Sequence, residues 1–332
     1  MTYYVLEADN INKEYLTKSG VLRMDTRIKA LNNVSLKLAR GQTLAIIGES
    51  NSGKSTLGRV LVGSETPSTG SIRIDGTKLD DASTRLRREA HRKIRLIFQN
   101  ANQSLNPRIR IKSLLDDTLR FNTPLNAEQR DAKIKETLKL VGVRSELAER
   151  YPHMLSMGDR QRIAIARAII LEPLVLVADE PLAHLDMSIQ AQILNLLLKL
   201  QEELGFSYLF ISNDLGMVKH MADEIMVLCD GQVMEQGNSR RLFHLPNHPY
   251  TRALFSGHPS LIGSSDAIVH VKKLYKSATS KTEKGCPFYS RCPFASQSCE
   301  KSIPELEYHD DVAVACHKTN EINALSELHR KY

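Results

Sequence analysis

The nine residues Gly48-Glu49-Ser50-Asn51-Ser52-Gly53-Lys54-Ser55-Thr56 constrain this chain more than any other stretch. Two glycines with four residues between them, then a lysine and a hydroxyl residue, make a loop whose backbone N–H groups can wrap phosphate oxygens. Such a loop works where a buried strand ends and a helix begins, because the first N–H groups of a helix point at the bound anion. Both neighbours have that character. "TLAII" before it is short, apolar and β-rich, and "GKSTLGRVLVG" after it has helical spacing. Lys54 then brings positive charge to the β- and γ-phosphates, and Ser55 offers a hydroxyl to Mg²⁺. Asn51 suits a position of positive φ better than most side chains.

A second strand supports the first. "LVLVADE" is apolar until it ends in Asp179 and Glu180. A strand end of this kind is where a metal-holding Asp belongs, and the adjacent Glu180 can serve as general base towards water. Between and after these motifs, short apolar runs alternate with helical patterns, which predicts a mainly parallel α/β sheet. "GSIRIDGTKL" reads as a strand with an Asp-Gly turn, and "EIMVLCDGQVMEQG" as a hairpin. From Asn106 to Tyr151 the pattern is helical. After about Asn238 periodicity weakens, Pro, His and Ser increase, and four of the five cysteines appear. The expected division is 1–259 for the nucleotide-binding domain and 260–332 for a small appended module.

The chain has 332 residues, 42% of them apolar and 25% charged, enough for a large core. It contains no run of about 18 apolar residues. "MTYYVLEADN" lacks the charged-then-apolar pattern of an export signal. The expectation is a cytoplasmic protein that reaches a membrane through a partner. A net charge of +7 fits an anionic partner or a solvated basic face equally well. The basic segment "RLRREAHRKIR" has no interleaved aromatics, which argues against a nucleic-acid partner.

The order of the motifs is distinctive: Tyr15, the loop at 48–56, Gln99 in "IFQN", "LSMGDRQRIAIARA", "ADEP", "HLD" and "SND". In this order the chain resembles the ATP-binding subunits of ABC transporters over about residues 1–240. "FQNANQSLNPR" and "HPYTRAL" resemble the oligopeptide/dipeptide importer branch, including Sap-type peptide transport proteins. The resemblance implies an ABC nucleotide-binding domain of P-loop NTPase fold with a helical subdomain at about 106–165. It implies that Tyr15 stacks on adenine, that Gln99 touches Mg²⁺ or the attacking water, and that Asp179 holds Mg²⁺ with Ser55. Glu180 would be the base, and Asp186 would sit in the loop crossing a dimer interface. Ser156 and Gly158 would contact ATP held by the partner. The implied assembly is two ATPase subunits under two membrane permeases, served by a solute-binding protein, at the cytoplasmic face of a bacterial inner membrane. The alternative is a soluble ABC ATPase acting on nucleic acid or ribosomes. Such proteins usually carry two cassettes or a long coiled-coil insertion, and this chain has neither.

Two positions depart from the family pattern. Met157-Gly158-Asp159 stands where the family has Gly-Gly-Gln, which adds bulk and an anion close to a phosphate. Asn213 stands where the family has histidine; it donates an N–H but is shorter and never cationic. In a head-to-tail dimer the first fault falls on the partner's site and the second on this chain's own. A second, different ATPase subunit spreads one fault to each site, with ATP at this chain's site acting mainly as a slowly hydrolysed clamp.

Cys286, Cys292, Cys299 and Cys316 are spaced C-x5-C-x6-C-x16-C. A cytosolic setting disfavours disulfides, and zinc sites of four cysteines generally use closer pairs. Iron–sulfur ligation, zinc and free thiols stay open on spacing alone; the resemblance implies a 4Fe-4S cluster. Cys229 belongs to an apolar strand and is expected to be inert. His317, next to Cys316, reads as a solvated side chain.

Overall fold

The structure is a computed structural model that describes residues 3–17, 26–80, 82–99, 104–183, 185–256, 284–309 and 311–322. The expected module boundary near 260, Asn100–Gln103 of the "FQNANQ" motif and His184 of "HLD" lie outside the described residues.

Two sheets carry the fold. The first is antiparallel, in the order β2-β1-β4-β5, from β1 (Tyr4–Thr17), β2 (Thr26–Ala39), β4 (Thr69–Ile74) and β5 (Thr77–Lys78). The second has eight strands in the order β11-β12-β10-β9-β3-β8-β7-β6. Its middle is parallel: β9 (Glu224–Cys229), β3 (Thr43–Ile47), β8 (Ser207–Ile211), β7 (Val175–Asp179) and β6 (Ile94–Ile97). One edge turns antiparallel through β10 (Gln232–Asn238), β12 (Val312–Val314) and β11 (Glu307–His309).

The continuous apolar runs have a simple cause. Side chains alternate across a sheet, so a strand buried on both faces needs apolar residues at every position. Leu44 and Ile46 of β3 enter one core, with Val175 and Val177 of β7 and Leu209 and Ile211 of β8. Ala45 and Ile47, Leu176 and Ala178, and Tyr208 and Phe210 enter the other. The first core is roofed by the antiparallel sheet, through Leu6, Ile11, Leu38 and Ile72, and by the helix that follows the phosphate loop. The second is covered by helices.

The α-helices of the described residues are α1 (Lys54–Leu61), α2 (Thr84–Arg92), α3 (Ile111–Asn122), α4 (Ala127–Leu140), α5 (Met157–Ile169), α6 (Met187–Leu204), α7 (Leu215–Met221), α8 (Ser239–His244), α9 (Pro249–Ser256) and α10 (Gln297–Lys301); α1 and α2 pack on the first core. The helical stretch expected from Asn106 holds α3 and α4. Ile111, Leu115, Leu119, Ile134 and Leu138 join the second core. Asn126 starts α4 with a reciprocal capping box to Gln129, which satisfies two N–H groups that the helix leaves unpaired.

Both Asp-Gly turns form, each closing a hairpin. Asp75 and Gly76 have φ of 48° and 74°, and Asp230 and Gly231 have 44° and 78°. Two successive positive φ values match the right-handed twist of the flanking strands.

The tail differs from a free-standing unit. Gly237 of β10 pairs with Val312, and Glu235 with Val314. Cys286, Phe288, Cys299, Val312 and Val314 belong to the same core as α3–α6. The described tail residues thus extend the main sheet. Three-residue strands carry too little alternation to register in the sequence, so β11 and β12 were not expected.

Candidate nucleotide site and its relatives

The phosphate loop lies between β3 and α1, and its shape follows from what crowds it. A Cβ on Gly48, whose φ is 151°, would come 2.1 Å from the Leu228 carbonyl oxygen. A Cβ on Gly53, with φ of 103°, would come 2.5 Å from the Ala30 carbonyl oxygen. Glycine is required at both positions by packing as well as by backbone conformation. Asn51 has φ of 66°, in keeping with the conformation expected for it. The tip of the second hairpin also holds the loop: Gly231 N–H donates to the Ser52 carbonyl at 2.8 Å.

Lys54 is buried at 5% exposure, and its ammonium donates to the carbonyls of Gly48 and Glu49, each at 2.8 Å. Burial lowers its pKa, against the pull of Glu180, Asp179 and Glu49. Ser55 Oγ donates to Asp179 Oδ1 at 2.9 Å. Burial raises the Asp179 pKa, partly opposed by Ser55. Two hard oxygen donors are therefore adjacent at the carboxyl end of the sheet, the donor chemistry that Mg²⁺ takes.

Glu180 carries the tightest arrangement. Its backbone has φ of 44°, rare for a side chain of this size, and its N–H is tied to the Ile211 carbonyl at 2.9 Å. Gln99 Nε2 donates to Glu180 Oε2 at 2.7 Å, and Asn213 Nδ2 donates to Glu180 Oε1. Each carboxylate oxygen is met by one amide. Gln99, Glu180 and Asn213, remote in sequence, come together because β6, β7 and β8 are parallel neighbours and end at one level.

All of these groups except Asp179 line one open cleft of about 1190 Å³, together with Tyr15, Ser50, Asn51, Gly53 and Thr56. The Tyr15 hydroxyl donates to Glu65, which also pairs with Arg59 at 2.6 Å. The tyrosine is thereby held in place at the cleft wall. Gly48, Glu49 and Ser52 are not among the residues that line the cleft.

Ser156, Gly158 and Asp186 lie outside this lining. Each has a local role. Ser156 caps α5 by accepting the Asp159 N–H at 3.1 Å, and its hydroxyl donates to Asp159 Oδ2 at 2.7 Å. Gly158 packs on α6, where a Cβ would be 3.2 Å from the Ile189 side chain. Asp186 caps α6, accepting from Ile189 N–H at 3.0 Å and Ser188 Oγ at 2.8 Å; these bonds lower its pKa. Met157 is 44% exposed at the start of α5.

Sequence reasoning missed Arg59, Asp230 and Gln232, which also line the cleft. The Asp-Gly turn was legible as a turn, but its placement over the phosphate loop depends on β9 pairing with β3.

No disulfide joins the five cysteines. Cys229 is buried, and burial pushes its thiol up to about 12. Cys286, Cys292, Cys299 and Cys316 line one small pocket with His248, Phe288 and Tyr289. Burial pushes the Cys286 thiol up to about 11 and the Cys292 thiol up to about 12. Among the described residues no group of three or more His, Cys, Asp or Glu side chains converges closely enough to hold a metal ion. His317 bonds to the backbone and hydroxyl of Ser302.

Among the described residues, no helix is long and apolar enough to cross a membrane. Residues 31–183 match the family described as ABC transporter, and 234–299 the family described as oligopeptide/dipeptide transporter, C-terminal region. The di/tripeptide transport ATP-binding protein DppF of Pseudomonas aeruginosa is 43% identical, over 94% of this chain and 97% of that protein. The putrescine export system ATP-binding protein SapF of Escherichia coli is 43% identical over 76% of this chain and 93% of its own length. Among solved structures, the dimeric ATP-binding cassette MJ0796 bound to ADP and Pi superposes with a TM-score of 0.63 at 30% identity, covering 71% of this chain and 99% of that one. By loop, strand order and similarity along nearly its whole length, this chain belongs to the ATP-binding proteins of ABC transporters, in their oligopeptide/dipeptide branch.

Proposed function

We propose that this chain binds and hydrolyses ATP to drive a membrane transporter of di- and oligopeptides. The observation that carries this reading is the convergence of Lys54, Ser55, Asp179, Glu180, Gln99 and Asn213 at one end of the sheet. The peptide cargo is carried over from the names of its relatives. One relative named for putrescine shows that a cassette of this similarity also serves a different solute.

In this reading Tyr15 presents its ring to adenine. The N–H groups of the cleft-lining loop residues Ser50, Asn51 and Gly53 to Thr56 receive phosphate, and phosphate oxygens compete with the carbonyls of Gly48 and Glu49 for the Lys54 ammonium. Ser55, Asp179 and Gln99 would hold Mg²⁺, which would supply positive charge to offset that of the phosphates. Glu180 takes the proton of the attacking water. Gln99 and Asn213 each occupy one oxygen of its carboxylate, and each oxygen keeps a second lone pair for that proton. Asn213 has no protonated form to offer the leaving phosphate. A slow site that holds ATP as a clamp is the expected result.

Ser156, Gly158 and Asp186 face a partner cassette in this scheme. The assembly is two different ATPase subunits beneath two permeases at the cytoplasmic face of a bacterial inner membrane, with a solute-binding protein delivering cargo. The cassette spans 1–259 and the tail 260–332. The tail is proposed to carry a 4Fe-4S cluster on Cys286, Cys292, Cys299 and Cys316. What supports this is that the four cysteines line one pocket; ligation would require loss of the thiol protons and a rearrangement of the four side chains.

The direct test of the nucleotide site is Lys54→Ala. It removes the charge aimed at the phosphates, so ATP binding and transport are both lost. Undiminished ATP affinity in this variant overturns the assignment.

A further inference from the structure

Three elements from the distant C-terminal half close on the first two residues of the phosphate loop. The Leu228 carbonyl, at the end of β9, abuts Gly48. The Tyr250 hydroxyl of α9 accepts the Glu49 N–H at 2.9 Å. Arg291 Nη1 donates to Glu49 Oε1 at 2.7 Å. The Glu49 carbonyl in turn receives the Lys54 ammonium at 2.8 Å. Glu49 therefore spends its N–H on a tyrosine, its side chain on an arginine, and its carbonyl on the lysine that serves the phosphates.

Arg291 is held for this contact. Its guanidinium lies over Phe288 at 5.1 Å and over Tyr250 at 6.0 Å. Tyr250 and Phe288 are themselves buried and tilted against each other at 5.3 Å. The arginine ends the short turn Tyr289–Arg291, whose N–H groups bond to the carbonyls of Cys286 at 2.9 Å and Phe288 at 3.1 Å. The turn is bracketed by Cys286 and Cys292, two of the four cysteines lining the tail pocket. A planar cation stacked on two rings gives up little freedom when it binds a carboxylate.

We propose that Arg291 is a positioning residue for nucleotide binding: it fixes Glu49 and so sets the phosphate loop and Lys54, linking the cysteine-lined tail to the ATP site. This rests on the reading of 48–56 as the ATP cradle. Arg291 is 28% and Glu49 48% exposed, so the pair is partly screened. Its loss is expected to weaken ATP binding ~2- to 5-fold, the scale of a partly exposed ion pair.

The test is ATP titration of the full chain carrying Arg291→Gln, Glu49→Gln, both, or Arg291→Lys, with Lys54→Ala as reference. Each single Gln variant should lose ~2- to 5-fold in affinity. The double variant should be no weaker than either single one, and Arg291→Lys should recover part of the loss. Wild-type affinity in Arg291→Gln, or losses that multiply in the double variant, would overturn the proposal. So would a lowered unfolding midpoint with unchanged affinity, which marks a purely structural role. If Lys54→Ala still binds ATP normally, the cradle reading itself fails, a result distinct from failure at Arg291.

Discussion

Glu180 concentrates the contacts of the candidate site in one side chain. Its carboxylate is bridged by the amides of Gln99 and Asn213, and its backbone is held at positive φ by Ile211. Asn213→His should raise hydrolysis at this site, by up to ~10²-fold if one well-placed donor is restored. Glu180→Gln should cost little in the native complex, because removing a base matters only where chemistry limits the rate. Steady-state ATPase of the reconstituted complex checks both. Turnover abolished by Glu180→Gln alone would mean that this site is catalytically essential, and the view of it as a clamp would be wrong. The residue types of the site were readable from their motifs. That both amides would be spent on one carboxylate was not, since it depends on distances across three strands.

At the scale of elements, the phosphate loop is shaped from outside. The Leu228 and Ala30 carbonyls leave no room for a Cβ at Gly48 or Gly53. Gly48→Ala should therefore lower the unfolding midpoint and weaken ATP binding at least ~10-fold, more than loss of the Arg291 contact, because a backbone carbonyl cannot swing away as a side chain can. A thermal melt with and without ATP measures both effects; a variant with wild-type midpoint and affinity would contradict the crowding. The start of α5 offers the converse case. Met157 is exposed and Asp159 is turned into its own Ser156 cap. Met157→Gly with Asp159→Gln should leave this chain's fold intact and accelerate hydrolysis at the partner's site. The readout is ATPase of a complex in which the partner's own base is intact or removed; acceleration that survives removal of that base would refute the assignment.

For the whole molecule, the two altered motifs act on different nucleotides if the assembly is head-to-tail. A different, fully equipped ATPase partner is then needed for fast turnover. The purified chain alone should hydrolyse ATP slowly, and adding Asn213→His to the α5 changes should give roughly additive effects on total ATPase unless the sites fire cooperatively. A homodimer of the chain alone with brisk turnover would defeat the heteromeric scheme. The tail makes a separate prediction. Protein purified without air should be brown and absorb near ~400 nm, as expected for thiolate–iron charge transfer. Metal analysis that finds zinc and no iron would decide for zinc.

The phosphate loop, the acid-ended strand and the parallel middle of the sheet were legible because each rests on local spacing: a glycine pattern, a run of five apolar residues, a helical period. The departures at Met157, Asp159 and Asn213 were legible only against the pattern of the family that the chain resembles. The antiparallel sheet over the first core was not anticipated as a layer of its own, because strand pairing between residues as far apart as Leu6 and Ile74 leaves no local trace. The tail showed its four cysteines but not that β12 would pair with β10, nor that Arg291 would reach Glu49 across 242 positions of chain. Motifs report what a backbone segment can do by itself. Which segments meet is decided by burial of both sheet faces at once, a property of the folded whole.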